Sequence, residues 1–318
     1  MTVTITKAGV LTTIQDSGRF GYQKLGVPCG GAMDDYAMRL ANIAVGNDEE
    51  EAVIEMTMIG ANYKFQEPAV ICLTGADMNA TLHGKKLELG RPYYIKAGSE
   101  LRLQAAQNGF RTYLAIQGGI QIPPVLQSKS TYVKAQLGGL NGHPLKPGDV
   151  LPIKPPKQLP PTDWKLSPQL FSYINDTTIR VIPGKQYEWF TKEMMQPFTQ
   201  HPYTITPQSD RMGYRLQGET LSIQKTNSLI TEGTAFGTIQ IPPDGQPIIL
   251  MADRQPTGGY PKIGNVITVD LPKLAQKRPG KQVRFSFVSI EEAQALRKKR
   301  YHHLQSLKKV VQQAYETT

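Results

Sequence analysis

The chain has 318 residues, and 36 Lys and Arg against 26 Asp and Glu give it a formal net charge of +10 at pH 7. This length exceeds what one hydrophobic core usually serves and predicts two domains. Two cysteines are too few for a disulfide framework or a cysteine-based metal site, so we expect a reducing compartment. The sequence shows neither a signal-peptide pattern nor an apolar run of bilayer length, which predicts a cytoplasmic protein without a membrane partner. Its basic residues are scattered, which disfavours nucleic acid as a partner.

The predicted elements are mostly short β-strands. A strand over 3–6 is followed by a Gly-bounded loop, and apolar residues at helical spacing over 32–45 predict an amphipathic helix. From 52 to 103, Val/Ile/Leu/Thr/Tyr runs between Gly and Pro turns predict successive strands. These elements form a first domain over 1–155.

A proline-rich segment then predicts a stiff, exposed linker over 156–170. The second domain, over 171–290, begins with a strand at 178–182, contains a helix near 188–195 and ends its strands near 285–287. Residues 291–318 contain neither Pro nor Gly, and their acidic start and basic continuation predict a C-terminal helix.

Four polar blocks of the first half recur in the same order in the second. They pair 15–22 with 208–214, 55–60 with 232–237, 76–77 with 252–253, and 98–103 with 280–285. Such ordered repetition predicts two related domains. The repeated polar positions of the first domain are candidate site residues: Asp16, Arg19, Tyr22, Glu55 and Asp77.

The second-half blocks are denser and are the better candidates for chemistry. An Arg fork binds carboxylate or phosphate, a carboxylate beside Arg stays ionised, and a Gly-Gly turn offers backbone N–H groups to an oxyanion. The alternative is that these Asp–Arg pairs only brace β-turns. The candidate catalytic residues are Asp253, Arg254, Asp210 and Arg211, and the candidate substrate-binding residues are Gln208, Tyr214, Glu232, Thr257, Gly258 and Gly259.

Several common catalytic signatures are missing from the sequence. It contains no Gly-x-x-x-x-Gly-Lys-[Ser/Thr] loop, no Gly-x-Gly-x-x-Gly after a strand and no His-Glu-x-x-His. The histidines are not at ligand spacing, so no metal site is predicted. Cys29 lies in a Gly-rich loop, where we interpret it as a passive thiol in preference to a reactive one.

These motifs carry a family resemblance. The runs TTIQDSGRFGY (12–22), GGAMD (30–34), QSDRMGYRL (208–216) and ADRQPTGGYP (252–261) resemble the biotin-dependent carboxyltransferase, or allophanate hydrolase subunit 2, family, and within it the 5-oxoprolinase branch. The resemblance covers about residues 1–290. It implies two tandem cyclophilin-like β-barrel domains with a few short helices, in agreement with the duplication.

The resemblance also implies a function within a heteromeric complex. It implies a component of an ATP-dependent 5-oxoprolinase that opens 5-oxo-L-proline to L-glutamate with two partners, the A subunit of the enzyme plus its KipI-like B subunit. ATP, with or without Mg²⁺, would be the co-substrate, bound here or on a partner. Two alternatives stay open: a biotin-dependent carboxyltransferase module of a urea or allophanate system, and a non-enzymatic antagonist of a KipI-like inhibitor of a sensor kinase. The chain has no Ala-Met-Lys-Met carrier motif, so covalently bound biotin is not expected.

Overall fold

Short apolar runs between Gly and Pro form β-strands throughout the computed structural model, which describes residues 1–222 and 229–317. The prediction of a mainly β protein with a few short helices is confirmed. The chain divides into two units. The first comprises Met1–Arg19, Gly30–Ile174 and His302–Thr318, and the second comprises Phe20–Cys29 and Asn175–Tyr301. In contrast to the linear division predicted above, 20–29 group with the second unit and 302–318 with the first.

The first unit contains two β-sheets with different numbers of strands. One has six strands in the order β11-β1-β4-β9-β6-β7, and the other has five in the order β2-β3-β10-β5-β8. The pairings within them are antiparallel. The strands are β1 (Thr2–Lys7), β2 (Leu11–Gln15), β3 (Val53–Thr57), β4 (Asn62–Phe65), β5 (Ala69–Asp77), β6 (Thr81–Leu82), β7 (Lys85–Lys86), β8 (Pro92–Ile95), β9 (Glu100–Arg102), β10 (Asn108–Ile116) and β11 (Val150–Pro152).

Residues from both sheets form the main core of the first unit. Val3 and Ile5 are fully buried on β1 while Thr4 between them is partly exposed, the period of two expected of a strand with one buried face. Ile54 on β3 and Leu114 on β10 belong to the same core. Each such side chain contributes roughly 1.5–3 kcal/mol when fully buried.

A second core lies on the other face of β5 and β10. Helix α1 (Asp35–Ala44) covers it. Asp34 is the N-cap before the helix, and its side chain accepts a hydrogen bond from the Ala37 N–H. The predicted helix over 32–45 is therefore confirmed. Leu304, Val311 and Tyr315 of the C-terminal helix are buried in the same core.

The proline-rich segment is less exposed than predicted. Leu166 is buried, and its N–H donates to the Gly90 carbonyl oxygen at 2.9 Å. Trp164 packs against the second core. These apolar side chains attach the segment to the first unit, whereas proline content alone indicated only a stiff chain.

The second unit contains a closed β-barrel. Its strands follow the order β12-β19-β16-β17-β14-β13-β20, and the barrel closes where β20 pairs in parallel with β12. A separate two-stranded sheet pairs β15 with β18. The strands are β12 (Thr178–Pro183), β13 (Tyr203–Ile205), β14 (Gly213–Gln217), β15 (Glu232–Gly233), β16 (Thr238–Gln240), β17 (Ile248–Leu250), β18 (Thr257–Gly258), β19 (Lys262–Val266) and β20 (Gln282–Phe287).

Within the described ranges, three α-helices follow α1. They are α2 (Lys192–Gln200), α3 (Leu271–Ala275) and α4 (Ile290–Glu316). The helix expected near 188–195 begins later, because Thr191 is extended and separates α2 from a 3₁₀ turn over Tyr187–Trp189. The C-terminal helix lies where the sequence predicts it. Among the described helices, none has an apolar stretch long enough to cross a bilayer.

Candidate functional site

Arg211 and Asp253, two of the predicted catalytic residues, form a buried ion pair in the second unit. Arg211 Nε donates to Asp253 Oδ2 at 2.9 Å, and Nη2 donates to Oδ1 at 3.0 Å. The two side chains are each only 7% exposed. Backbone pairing reinforces the contact, since the Asp253 N–H donates to the Arg211 carbonyl oxygen at 2.8 Å. A bidentate pair of this kind holds the two loops together. This geometry favours a structural role for Asp253 over a role as a catalytic carboxylate.

Three other residues of the 208–214 block have different surroundings. The Asp210 carboxylate accepts from the N–H groups of Met212 and Gly213 at 2.7 and 3.1 Å, which closes a turn. Tyr214 is buried, and its hydroxyl donates to the Lys277 carbonyl oxygen at 3.5 Å. Gln208 is exposed. Asp210 is exposed as well, so only Tyr214 of these three side chains is buried.

Arg254 has a different environment from Arg211. Its guanidinium lies 5.8 Å from the Phe236 ring centroid and hydrogen-bonds to the Cys29 thiol. Burial lowers the pKa of Arg254, while Cys29 and Asp253 oppose this shift. Gln23 Nε2 donates to Cys29 Sγ at 2.8 Å. The sequence analysis missed this grouping, because Cys29 and Arg254 are far apart in the chain.

Glu232 lies in a cluster of donors. Its Oε1 accepts from Lys185 Nζ at 2.5 Å, and its Oε2 accepts from Lys262 Nζ at 3.2 Å and Gln186 Nε2 at 3.3 Å. The hydrogen bonds from Lys185, Lys262 and Gln186 lower the pKa of Glu232 to about 2. Glu232 is therefore ionised at neutral pH. The repeated blocks of the sequence identified Glu232. They did not identify its three donors, because none of these donors lies in a block that recurs between the two halves of the chain.

The short β15–β18 sheet places the glycine turn against this cluster. Glu232 pairs with Gly258 across the two strands. Gly258 is buried, whereas Thr257 and Gly259 are exposed. A Cβ at position 258 would collide with the Gln240 side-chain amide, so only glycine fits without movement. Gln240 is a further residue that the sequence analysis did not identify.

In the first unit, Asp16 is held by a dense set of donors. Its carboxylate accepts from Gly18 N, Ser128 Oγ, Lys129 N and Ser130 Oγ at 2.5–2.8 Å. Three of these donors bind Oδ1 and the Lys129 N–H binds Oδ2, so both carboxylate oxygens are engaged. The geometry therefore favours a structural clamp for Asp16.

The neighbouring candidate Arg19 is completely buried and donates from Nη2 to the Ser130 carbonyl oxygen. Tyr22 is half-buried and belongs to the second unit, where its carbonyl oxygen accepts from the Leu25 N–H at 2.9 Å. Asp77 accepts from the Asn79 N–H at 2.8 Å and from Lys86 Nζ at 3.2 Å. The echoed positions of the two halves thus have different partners.

Glu55 forms a buried network at the start of α1. Its Oε2 accepts from the Tyr113 hydroxyl and the Met33 N–H, both at 2.8 Å. The Tyr113 hydroxyl also accepts from the Asp34 N–H at 2.8 Å. Burial, with the charges of Glu55 and Asp34, raises the pKa of Tyr113 well above its ordinary value. This network connects β3, β10 and the helix N-terminus.

Comparison with known proteins assigns the chain to a family. The family model described as carboxyltransferase domain, subdomain A and B, matches residues 25–287. The chain therefore belongs to this carboxyltransferase family, and the resemblance predicted from its motifs is confirmed.

Within the family the chain is similar to the C subunit of 5-oxoprolinase. It is 39% identical to that protein of Haemophilus influenzae, over 94% of this chain and 95% of the relative. The identity to the corresponding C subunit of Escherichia coli 5-oxoprolinase is also 39%, over 95% of this chain and 96% of the relative.

A solved structure supports the fold. The K. lactis urea amidolyase matches 96% of this chain with a TM-score of 0.90 and 27% sequence identity. The matched region is 20% of that protein, so the chain corresponds to about a fifth of it.

Proposed function

We propose that this chain is the component of an ATP-dependent 5-oxoprolinase that helps to open 5-oxo-L-proline to L-glutamate. The observation that carries the proposal is the match to the C subunit of two 5-oxoprolinases over nearly the whole length of both proteins. The name of those relatives implies assembly with other subunits. We infer that the partners are the A subunit of the enzyme plus its KipI-like B subunit, with ATP and Mg²⁺ as the co-substrate of the complex.

The chemistry of the reaction requires charge stabilisation around a neutral amide. A lactam is resonance-stabilised, so phosphorylation of its carbonyl oxygen by ATP makes the carbon electrophilic enough for water to add. Groups that hold the lactam and stabilise developing negative charge accelerate such a step. In the second unit Glu232 and Lys262 are charged groups next to the glycine turn. Arg254 is a half-buried cation suited to an anionic group.

The experiment is reconstitution of the complex from its three proteins. ATP hydrolysis and glutamate formation from 5-oxo-L-proline are measured together, with and without this chain. We expect coupled turnover only when the chain is present. Glutamate formation by the other two proteins at the same rate without it would overturn the proposal.

A matched pair of variants tests whether the chain contributes chemistry. Glu232→Gln keeps the shape of the side chain but removes its charge, and we expect kcat/KM to fall by at least about tenfold. Glu219→Gln is the control, because Glu219 is exposed. Equal activity of both variants in an intact complex would favour a non-catalytic role, including antagonism of a KipI-like inhibitor.

The likeness to urea amidolyase favours a second candidate, a biotin-dependent carboxyltransferase module. In that function biotin would arrive on another protein. The test adds a biotinylated carrier, a biotin carboxylase, ATP, bicarbonate and urea to the purified chain, because bicarbonate must be activated by ATP before biotin can carry its carboxyl group. Carboxylation of urea, with no 5-oxoproline turnover in the reconstituted complex, would select this alternative.

A further inference from the structure

Gln240 has an unusual side chain for a buried position in the second unit. It is only 2% exposed, and its amide nitrogen Nε2 has no hydrogen-bond partner among the described residues. Its neighbours Ile239 and Ile241 are fully buried in the apolar core, so Gln240 points to the opposite face of its strand. A buried donor without a partner is costly and rare, and it calls for an explanation.

Two independent contacts place this donor beside the Glu232 cluster. Gln240 on β16 pairs with Lys262 on β19, and Lys262 Nζ lies 3.2 Å from Glu232 Oε2. Through the other sheet, Glu232 pairs with Gly258, whose missing Cβ leaves room for the Gln240 amide. The unsatisfied donor and the ionised carboxylate therefore belong to one group of side chains.

The donors and acceptors that have no partner in this group of side chains indicate the class of ligand that fits them. A carboxylate offers about four lone-pair sites. Lys185, Lys262 and Gln186 occupy three of those of Glu232. One acceptor site on Glu232 and both N–H donors of the Gln240 amide nitrogen remain. An amide group, with a carbonyl oxygen and an N–H side by side, complements such a pair.

The pattern of donors and acceptors favours an amide over a carboxylate, because an ionised carboxylate has no N–H to donate to Glu232. Gln240 is neutral, and the nearby Lys262 ammonium is already paired with Glu232. A carboxylate bound to Gln240 Nε2 would leave the remaining acceptor site of Glu232 without a donor. A lactam or other secondary amide brings no charge to this position.

We propose that Gln240, Lys262 and Glu232 form an amide-binding subsite in which Gln240 Nε2 donates to the ligand carbonyl oxygen and Glu232 accepts from its N–H. The ligand class follows from the donors and acceptors. Only the identification of that ligand with the 5-oxoproline lactam rests on the proposed function. Gly258 contributes by keeping the space that the Gln240 amide occupies.

The test measures binding of three probes to the full chain by ligand-observed NMR. They are 2-pyrrolidinone, which has the lactam without a carboxylate, L-proline, which has the carboxylate and a ring ammonium but no amide, and 5-oxo-L-proline, which has both the lactam and the carboxylate. We expect the two lactams to bind and L-proline not to bind. Gln240→Met, which keeps the length and removes the donor, is expected to weaken lactam binding about tenfold or more.

Two variants separate recognition from folding. Gln217→Met is the matched control, since Gln217 is exposed on β14, and its affinities are expected to equal those of the wild type. The melting temperature of Gln240→Met should equal or exceed that of the wild type, because the variant removes an unpaired buried donor. Gly258→Ala displaces the Gln240 amide and should also weaken lactam binding.

Three results would overturn the subsite: no lactam binding by the wild type, equal affinity of wild type and Gln240→Met, or preferential binding of L-proline. These outcomes differ from failure of the proposed function. Lactam binding without 5-oxoproline turnover in the complex would remove only that function. Turnover with an unchanged KM in Gln240→Met would remove only the subsite.

Discussion

Replacement of Asp253 by Asn is predicted to destabilise the second unit strongly. Arg211 donates to both carboxylate oxygens of Asp253, and both side chains are buried. Asn keeps the shape, but it replaces one acceptor with an amide and leaves the guanidinium without its counter-charge. Removal of one partner from a buried ion pair costs about 3–5 kcal/mol. A domain of ~150–250 residues loses about 2–4 °C per kcal/mol, which gives a fall in melting temperature on the order of 10 °C.

The assay is thermal unfolding of the purified chain by calorimetry at pH 7. Asp244→Asn provides the control, because Asp244 is exposed and Asn retains the oxygen that accepts from the Gln246 N–H. The double variant Arg211→Met/Asp253→Leu removes both charges. It is expected to lose much less stability than Asp253→Asn, since no unpaired charge stays buried.

The reasoning would be refuted by an Asp253→Asn melting temperature within about 2 °C of the wild type, well below the shift expected for a broken buried pair. A double variant less stable than Asp253→Asn would refute it equally. This prediction also governs activity measurements. Loss of turnover in Asp253→Asn indicates a catalytic carboxylate only when it is normalised to folded protein.

Four further predictions concern the other clusters. Lys185→Met should raise the pKa of Glu232 from about 2 towards its ordinary 4.5, and NMR titration of the carboxyl carbon measures the shift. In the wild type, the free energy of unfolding gains its full contribution from ionised Glu232 above about pH 4.5. This contribution is lost as the pH falls through about 2. A free energy of unfolding that does not change between these pH values would contradict the prediction. Asp16→Ala leaves four donors without their acceptor, and urea denaturation should show a loss of about 1–3 kcal/mol or more. Tyr113→Phe removes the hydroxyl that joins Glu55 to α1 and should cost about 1–3 kcal/mol in the same assay, against no loss if the network is dispensable.

Local sequence patterns predicted much of the fold. The helical spacing over 32–45 located α1, and Asp34 before it forms the N-cap. The charge distribution of 291–318 located α4. Elements determined by contacts distant in sequence were harder to predict. The start of α2 and the attachment of Leu166 depend on such contacts, which leave no periodic signal.

The candidate site was predictable only in part. Repetition and the Asp–Arg motif identified Arg211, Asp253 and Glu232 as residues of interest. The sequence did not distinguish a bracing ion pair from a binding group, because that difference depends on burial and on which donors surround each carboxylate. Gln240 carried no signal, since a glutamine in a strand becomes notable only when its amide is buried without a partner.

The mainly β class, the family and the residue types available for chemistry follow from the sequence, because turn glycines, apolar alternation and long motifs are local properties of the chain. Which polar residues meet depends on the folded arrangement. Lys185, Glu232 and Lys262 come from three separate segments, and only folding brings them within 2.5–3.2 Å. Hydrogen bonds and ion pairs act over a few ångströms in space, whatever the separation of their partners along the chain.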